Sequence, residues 1–262
     1  MPGICLVHLV WAPLGTEPIR RFLDAYRQRP AGRDHRLLVV LNGFDGTPPP
    51  AVTNVLAEVE HEPLLLPERV QDLTAYRLAA EHAADADRLC FLNSHAEPLA
   101  DGWLAMLDDQ LRAPRVGIVG ATGSNESHFS AAARPLKPLR RFQFPPFPNT
   151  HLRTNGFMLR RDDMLALDWS VGRTKGSAYR LESGNRGIVR QLLARGLEPR
   201  VVDRDGRGLE PHQWPESRTY RSGAQEQLLI ADNRTRQYAT ASQERREWYA
   251  SISWGTPAPA RL

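Results

Sequence analysis

Short apolar runs alternate with amphipathic stretches along the first hundred residues. Ile4 to Val10 (ICLVHLV) reads as a buried strand, broken by Ala12, Pro13 and Gly15. Glu17 to Arg29 follows as a helix with Ile19, Phe22, Leu23 and Tyr26 on one face. Arg36 to Leu41 is a second strand, stopped by Asn42 and Gly43. The spacing then predicts a helix over Ala51 to Glu60, a short strand at Pro63 to Leu66 and a helix over Leu73 to Ala84. Leu89 to Leu92 is the fourth strand, and the chain turns polar at Asn93, Ser94 and His95 before a helix that ends near Leu111. This strand–helix alternation argues for a parallel sheet, with Leu89 to Leu92 central and beside Ile4 to Val10.

The second half is less regular. Val116 to Val119 is a further strand. From Ala131 to Arg161 the chain carries seven basic residues and no acid, and its five prolines disfavour regular structure through position 148. Arg134 to Thr150 is expected to be a mobile or ligand-ordered loop. His151 to Leu159 reads as one strand with a helix starting at Arg161. A helix bearing Ile188, Val189, Leu192 and Leu193, capped by Gly196, leads into a strand at Pro199 to Val202. Gln237 to Trp254 reads as a terminal helix, and there is neither an internal repeat nor a heptad pattern.

Composition narrows the class. The chain has 262 residues, 41% hydrophobic and 24% charged, an ordinary globular balance. No run approaches a bilayer span and the N-terminus lacks a basic start, so a cytoplasmic location is the expectation. Cys5 and Cys90 both fall in buried strands, where they are expected to be reduced near neighbours rather than part of a disulfide or metal framework. The net charge is +4, carried almost wholly by arginine, because Lys137 and Lys175 are the only lysines. Arginine suits bidentate recognition of phosphate. No P-loop or Gly-x-Gly-x-x-Gly follows a strand, which removes the motifs for ATP and dinucleotides, and nothing points to nucleic acid.

The stretch Arg88 to Leu107 resembles the centre of GT-A glycosyltransferases, most like the family-2 nucleotide-sugar transferases. Leu92, Pro98, Trp103 and Leu104 match the pattern of a strand end, a proline and a Trp-Leu helix. The family's metal-binding Asp-x-Asp positions hold Asn93 and His95 instead. The resemblance implies one α/β domain over 1–262 with a mostly parallel central sheet flanked by helices. Its nucleotide-sugar half would be 1–125, and its acceptor half with a C-terminal helical segment 126–262. Val10, Ala12, Asn42, Gly43, Asp45, Arg77, Asn93, Ser94 and His95 would bind the nucleotide sugar. Asn155, Gly156, His212, Trp214 and Arg221 would line the acceptor site. Glu182 matches the family's general base, with Ser183 where a second acid usually stands.

The implied reaction is inverting transfer of a sugar from a nucleotide-sugar donor to an acceptor hydroxyl on a glycan, a lipid-linked acceptor or a small molecule. Peripheral membrane contact through the basic segment is a further expected partner. Mn2+ or Mg2+ would come with the family, but both metals favour carboxylate oxygen, so His95 or Glu97 would have to supply the ligand. Two other readings stay open: a non-catalytic GT-A-like binding protein, and a sugar-nucleotide pyrophosphorylase. Each site residue also has a plainer role. Asn93 to His95 could form a polar turn, Glu182 could stabilise a helix start, and Trp214 and Arg221 could be core and surface residues.

Overall fold

The computed structural model describes residues 3–130, 140–170 and 175–255. An eight-stranded sheet forms the middle layer. Its strands are β1 (Gly3–Trp11), β2 (His35–Asn42), β3 (Glu62–Leu66), β4 (Ala86–Leu92), β6 (Val116–Gly120), β9 (Gly156–Arg160), β10 (Glu198–Val202) and β11 (Gly208–Leu209). They run in the order β11-β10-β6-β9-β4-β1-β2-β3. Outside this sheet, β5 (Glu97–Pro98) pairs with β12 (Ile230–Ala231), and β7 (Gly123–Ser124) pairs with β8 (His151–Leu152).

The first four strands of the sheet are parallel, and β4 lies directly beside β1 as the alternation requires. Near-continuous Val, Ile and Leu in these strands fit a sheet covered on both faces. One face is covered by α1 (Glu17–Gln28), α2 (Pro50–Leu56) and α4 (Trp103–Leu111), through residues such as Phe22, Val55 and Trp103. The other is covered by α3 (Asp72–His82), α5 (Arg161–Leu165), α6 (Lys175–Ser183) and α7 (Ile188–Ala194), through Tyr76, Met164, Leu181 and Leu192.

Several expectations are corrected. The stretch from His151 to Leu159 is two strands, not one: β8 and β9 are separated by a turn at 153–155. Moreover, β9 runs antiparallel between β4 and β6. Cys5 and Cys90 are free, buried and on adjacent strands, but Cys5 pairs with Leu89 while Cys90 pairs with Leu6. The one-residue offset sends the two thiols to opposite faces of the sheet. The C-terminal stretch is two helices, α8 (Asn233–Ala239) and α9 (Gln243–Trp254). The break comes where the Ser242 side chain accepts from the Arg245 amide and starts α9 afresh.

Half of the proline-rich loop is anchored. Phe144 is fully buried, the Ser127 hydroxyl donates to the Pro145 carbonyl, and the Asn149 amide donates to the Ser183 carbonyl at 2.7 Å. Positions 134–139 of that loop lie outside the described residues.

His8 on β1 is fully buried and stacks on Phe22 at 3.7 Å, and among the described residues neither ring nitrogen has a hydrogen-bond partner. Burial lowers its pKa to about 3 from an ordinary 6.5. Between those values the unfolded chain binds the proton and the folded chain does not. Stability from this residue is therefore complete above about pH 6.5 and falls as the pH drops towards 3. Replacing His8 by Phe should remove this component. Between pH 7.5 and pH 5, unfolding free energy should fall by about 2 kcal/mol less in the variant than in the wild type. Equal losses in denaturant titrations of the two proteins would show that His8 is not the source.

Candidate active site

The carboxyl ends of β1 and β4 open onto a cleft of about 380 Å³, the position where open α/β sheets bind ligands. Trp11, 40% exposed, stands at the end of β1, and Asn93, Ser94 and His95 follow β4. The facing wall is built from Val70 to Leu73 and from Tyr179 and Glu182 of α6, and Arg234 closes one side. A second cleft of similar size adjoins it. Its lining is aromatic and basic, with Arg153, Tyr220, Arg221, Arg245, Trp248 and Tyr249. Tyr179, Glu182 and Arg234 border both clefts.

Glu182 precedes α7 as expected, but it lies in the last turn of α6 and not at a helix start. A carboxylate there opposes the helix dipole, so stabilisation of a helix start does not explain it. Specific donors hold it instead. Both the amide and the hydroxyl of Thr154 donate to Oε1, each at 2.9 Å. Among the described residues only Oε1 receives donors. Asp72, at the start of α3, shares the first cleft. Desolvation between the cleft walls and the charge of Glu182 raise its pKa above the ordinary carboxylate value. Much of the residue is still open to solvent, so the displacement belongs to a carboxyl at a cleft wall and not to a core group. His128 and His151, on the second cleft, are both held below the ordinary imidazole pKa by burial.

The polar turn after β4 satisfies itself. The Asn93 side-chain oxygen accepts from the His95 amide at 2.9 Å, and the Asn93 carbonyl accepts from the Ala96 amide. The His95 carbonyl accepts from Arg236, which also pairs with Glu97 at 3.0 Å. Burial, then the Arg236 charge, lowers the His95 pKa. This donor set does not fit Mn2+ or Mg2+. The Asn93 oxygen is occupied, and Glu97 is neutralised by Arg236 and borders a different hollow. Among the described residues no group of three or more His, Cys, Asp or Glu is placed to hold a metal.

Other expected site residues are placed differently. Val10 points into the core at 1% exposure. Asn42 is buried and grips the backbone of Val70 from both sides, its amide donating at 2.8 Å and its oxygen accepting at 3.1 Å, so it positions the cleft wall. Gly43 makes the turn behind it at φ +84°, and Asp45 is exposed and borders none of these clefts. Ala12 begins the 3-10 turn beyond Trp11. Arg77 pairs with Glu81 and packs over Trp169 in a neighbouring cavity. Asn155 and Gly156 are buried at the start of β9; the Asn155 carbonyl accepts from the Asn93 amide and Gly156 packs on Ile230. Trp214 is a core residue packed on Gly123. His212 is exposed beside Glu210. Arg221 does border the second cleft, buried and paired with Glu126.

Residues that the sequence did not single out complete the site. Arg153 pairs with the buried Asp232 at 2.8 Å and lies over the Tyr220 ring at 4.1 Å. Burial works to raise the Asp232 pKa, but Arg153 and Thr235 outweigh it and hold the carboxyl below its ordinary value. Asp232 then caps α8, accepting from the Thr235 amide. The only available sequence signal was a local one, Asp232 three residues before Thr235 at a helix start.

No protein-family model and no curated protein matches the chain. Among solved structures it is similar to a mannosyltransferase from Pyrobaculum calidifontis in complex with GDP-mannose and Mn2+, with 17% identity, a TM-score of 0.46 and coverage of 83% of this chain and 60% of that one. It is also similar to GalNAc-T7 with UDP, GalNAc and Mn2+ (14%, TM-score 0.43, 61% of this chain and 35% of that one). A third neighbour is 4-diphosphocytidyl-2C-methyl-D-erythritol synthase from Anaerococcus prevotii (9%, TM-score 0.49, 77% and 86%). The chain therefore spans about 60% and 35% of the length of the first two. These neighbours are GT-A-type glycosyltransferases and a nucleotidyltransferase.

Replacing Asn93 by Ala removes the bond that closes the turn. Thermal unfolding should show a loss of about 1 kcal/mol, whereas Asn93→Asp keeps the acceptor and most of the stability. Equal stability of the Ala variant and the wild type would show that the turn does not depend on this side chain.

Proposed function

We propose that this chain transfers a sugar from a nucleotide-sugar donor to an acceptor hydroxyl. The observation that carries the reading is Glu182 at the junction of two clefts, one carboxylate oxygen fixed by Thr154 and the other without a donor among the described residues. The first cleft, beyond β1 and β4, takes the donor. Trp11 offers an aromatic face to the base, and the wall at Val70 to Asp72 meets the nucleoside. The second takes the acceptor, against the aromatic surface of Tyr220, Trp248 and Tyr249.

Glu182 accepts the proton from the acceptor hydroxyl through its unoccupied oxygen. The hydroxyl oxygen attacks the anomeric carbon as the bond from that carbon to the diphosphate oxygen breaks, and the nucleoside diphosphate leaves with the electron pair. Attack opposite the leaving group inverts the anomeric centre. Positive charge near the diphosphate lowers the barrier by stabilising the departing anion. Arg140, Arg141 and Phe142, the last 83% exposed, support peripheral contact with an anionic membrane that carries a lipid-linked acceptor. They precede Phe144, which packs on His128 at the second cleft.

A second reading, a binding protein without turnover, is favoured by the self-satisfied Asn93 turn. A screen of nucleotide sugars for sugar release separates the two readings, and release of pyrophosphate from a nucleoside triphosphate and a sugar phosphate would instead mark nucleotidyl transfer. With an active donor in hand, Glu182→Gln should lower turnover about 100- to 10,000-fold and leave donor affinity nearly unchanged. Near-wild-type turnover in that variant would remove Glu182 from the chemistry.

A further inference from the structure

The donor cleft has an anion to hold and a donor set that does not suit a divalent metal. We propose that Arg234 supplies the positive charge that binds the donor's diphosphate, in the role a metal ion would otherwise fill. The inference rests on the donor-cleft reading above and extends it.

Among the described residues, the other arginines that border the two clefts, and Arg236 and Arg21 nearby, are already engaged. Arg153 pairs with Asp232, Arg221 with Glu126, Arg236 with Glu97, and Arg21 with Glu17. Arg245 lies over the rings of Trp248 and Tyr249, at 4.1 and 5.0 Å. Arg234 has no ion pair, hydrogen bond or ring contact among the described residues, yet it borders both clefts. A guanidinium with five free N–H donors suits a diphosphate, which offers several oxygens to a bidentate fork.

Its backbone is held firmly against the Asn93 turn. β12 pairs with β5, so that Ala231 faces Glu97 three residues before Arg234. Asp232 is pinned by Arg153 and caps the helix that carries Arg234. Arg236, two residues on, donates to the His95 carbonyl and to Glu97. Three separate tethers therefore fix the 231–236 segment beside the residues that follow β4. The backbone that carries the cation is prepositioned without a metal, and the guanidinium is left unengaged among the described residues.

The test is calorimetry on the full-length protein with pyrophosphate, UDP and GDP, first in EDTA and then with manganese, using the wild type, Arg234→Ala and Arg234→Lys. Thermal midpoints establish that each variant is folded. Pyrophosphate and at least one nucleoside diphosphate should bind in EDTA, with affinity changing less than about threefold on adding manganese. Arg234→Ala should weaken that binding about 10- to 150-fold, the range for a hydrogen bond to a charged group, and Arg234→Lys should restore part of it. Uridine or guanosine alone should bind equally well to all three proteins. Unchanged diphosphate affinity in Arg234→Ala, or a gain above tenfold with manganese, would overturn the arginine's role and leave the donor cleft standing. A wild type that binds none of these probes would overturn the donor cleft and the arginine together.

Discussion

The site depends on one turn, Arg153-Thr154-Asn155, at the foot of the antiparallel strand wedged between β4 and β6. Each of its residues ties a different part of the chain. The Arg153 amide donates to the Thr122 carbonyl, while its guanidinium pairs with Asp232 from the C-terminal segment. Thr154 holds Glu182 with both of its donors. Asn155 accepts from the Asn93 amide through its carbonyl and from the Thr122 hydroxyl through its side chain. Arg153 and Asp232 are nearly removed from water, a placement that is stable only because each charge is matched and hydrogen-bonded. Loss of either partner would leave a buried charge and release the C-terminal segment from the sheet.

That turn explains why two clefts meet at a single carboxylate. The parallel half of the sheet provides the strand ends for one cleft. The C-terminal helices, docked through Asp232 and through Arg221 with Glu126, wall the other. Glu182 sits between them at a helix end whose dipole disfavours its charge, so its position there reflects the Thr154 donors. Among the described residues the other carboxylate oxygen receives no donor, and the proposal that it accepts the acceptor's proton is the central claim.

The first half of the fold was legible because buried parallel strands leave continuous apolar runs separated by amphipathic helices, and β1 to β4 read directly from that pattern. The antiparallel insertion of β9 was not, because an apolar strand carries no mark of its direction. The turn at 153–155 did have a local signal, the polar run Arg153-Thr154-Asn155 before Gly156, which the reading of one continuous strand passed over. The Asn93 cap was foreseeable as a plain polar turn, and the role of Asn42 in gripping Val70 was not, since the two are brought together only by the β2–β3 pairing. Arg153 with Asp232 and Arg236 with Glu97 are pairings across most of the chain's second half or more, and no local signal announces them. The break before α9 had a signal, Ser242 at a helix start, which the apolar spacing of Tyr238, Trp248, Tyr249 and Ile252 outweighed in the reading of one helix.

A crystal structure with UDP or GDP bound tests the central claim most directly. The account predicts the diphosphate in the cleft between Trp11 and the Asn93 to His95 turn, with the free oxygen of Glu182 facing the adjoining aromatic cleft. A nucleotide held elsewhere would contradict it. The large hollow at the opposite end of β1 and β4, where Arg33, Arg88, Arg112 and Arg160 gather, is the alternative location to inspect.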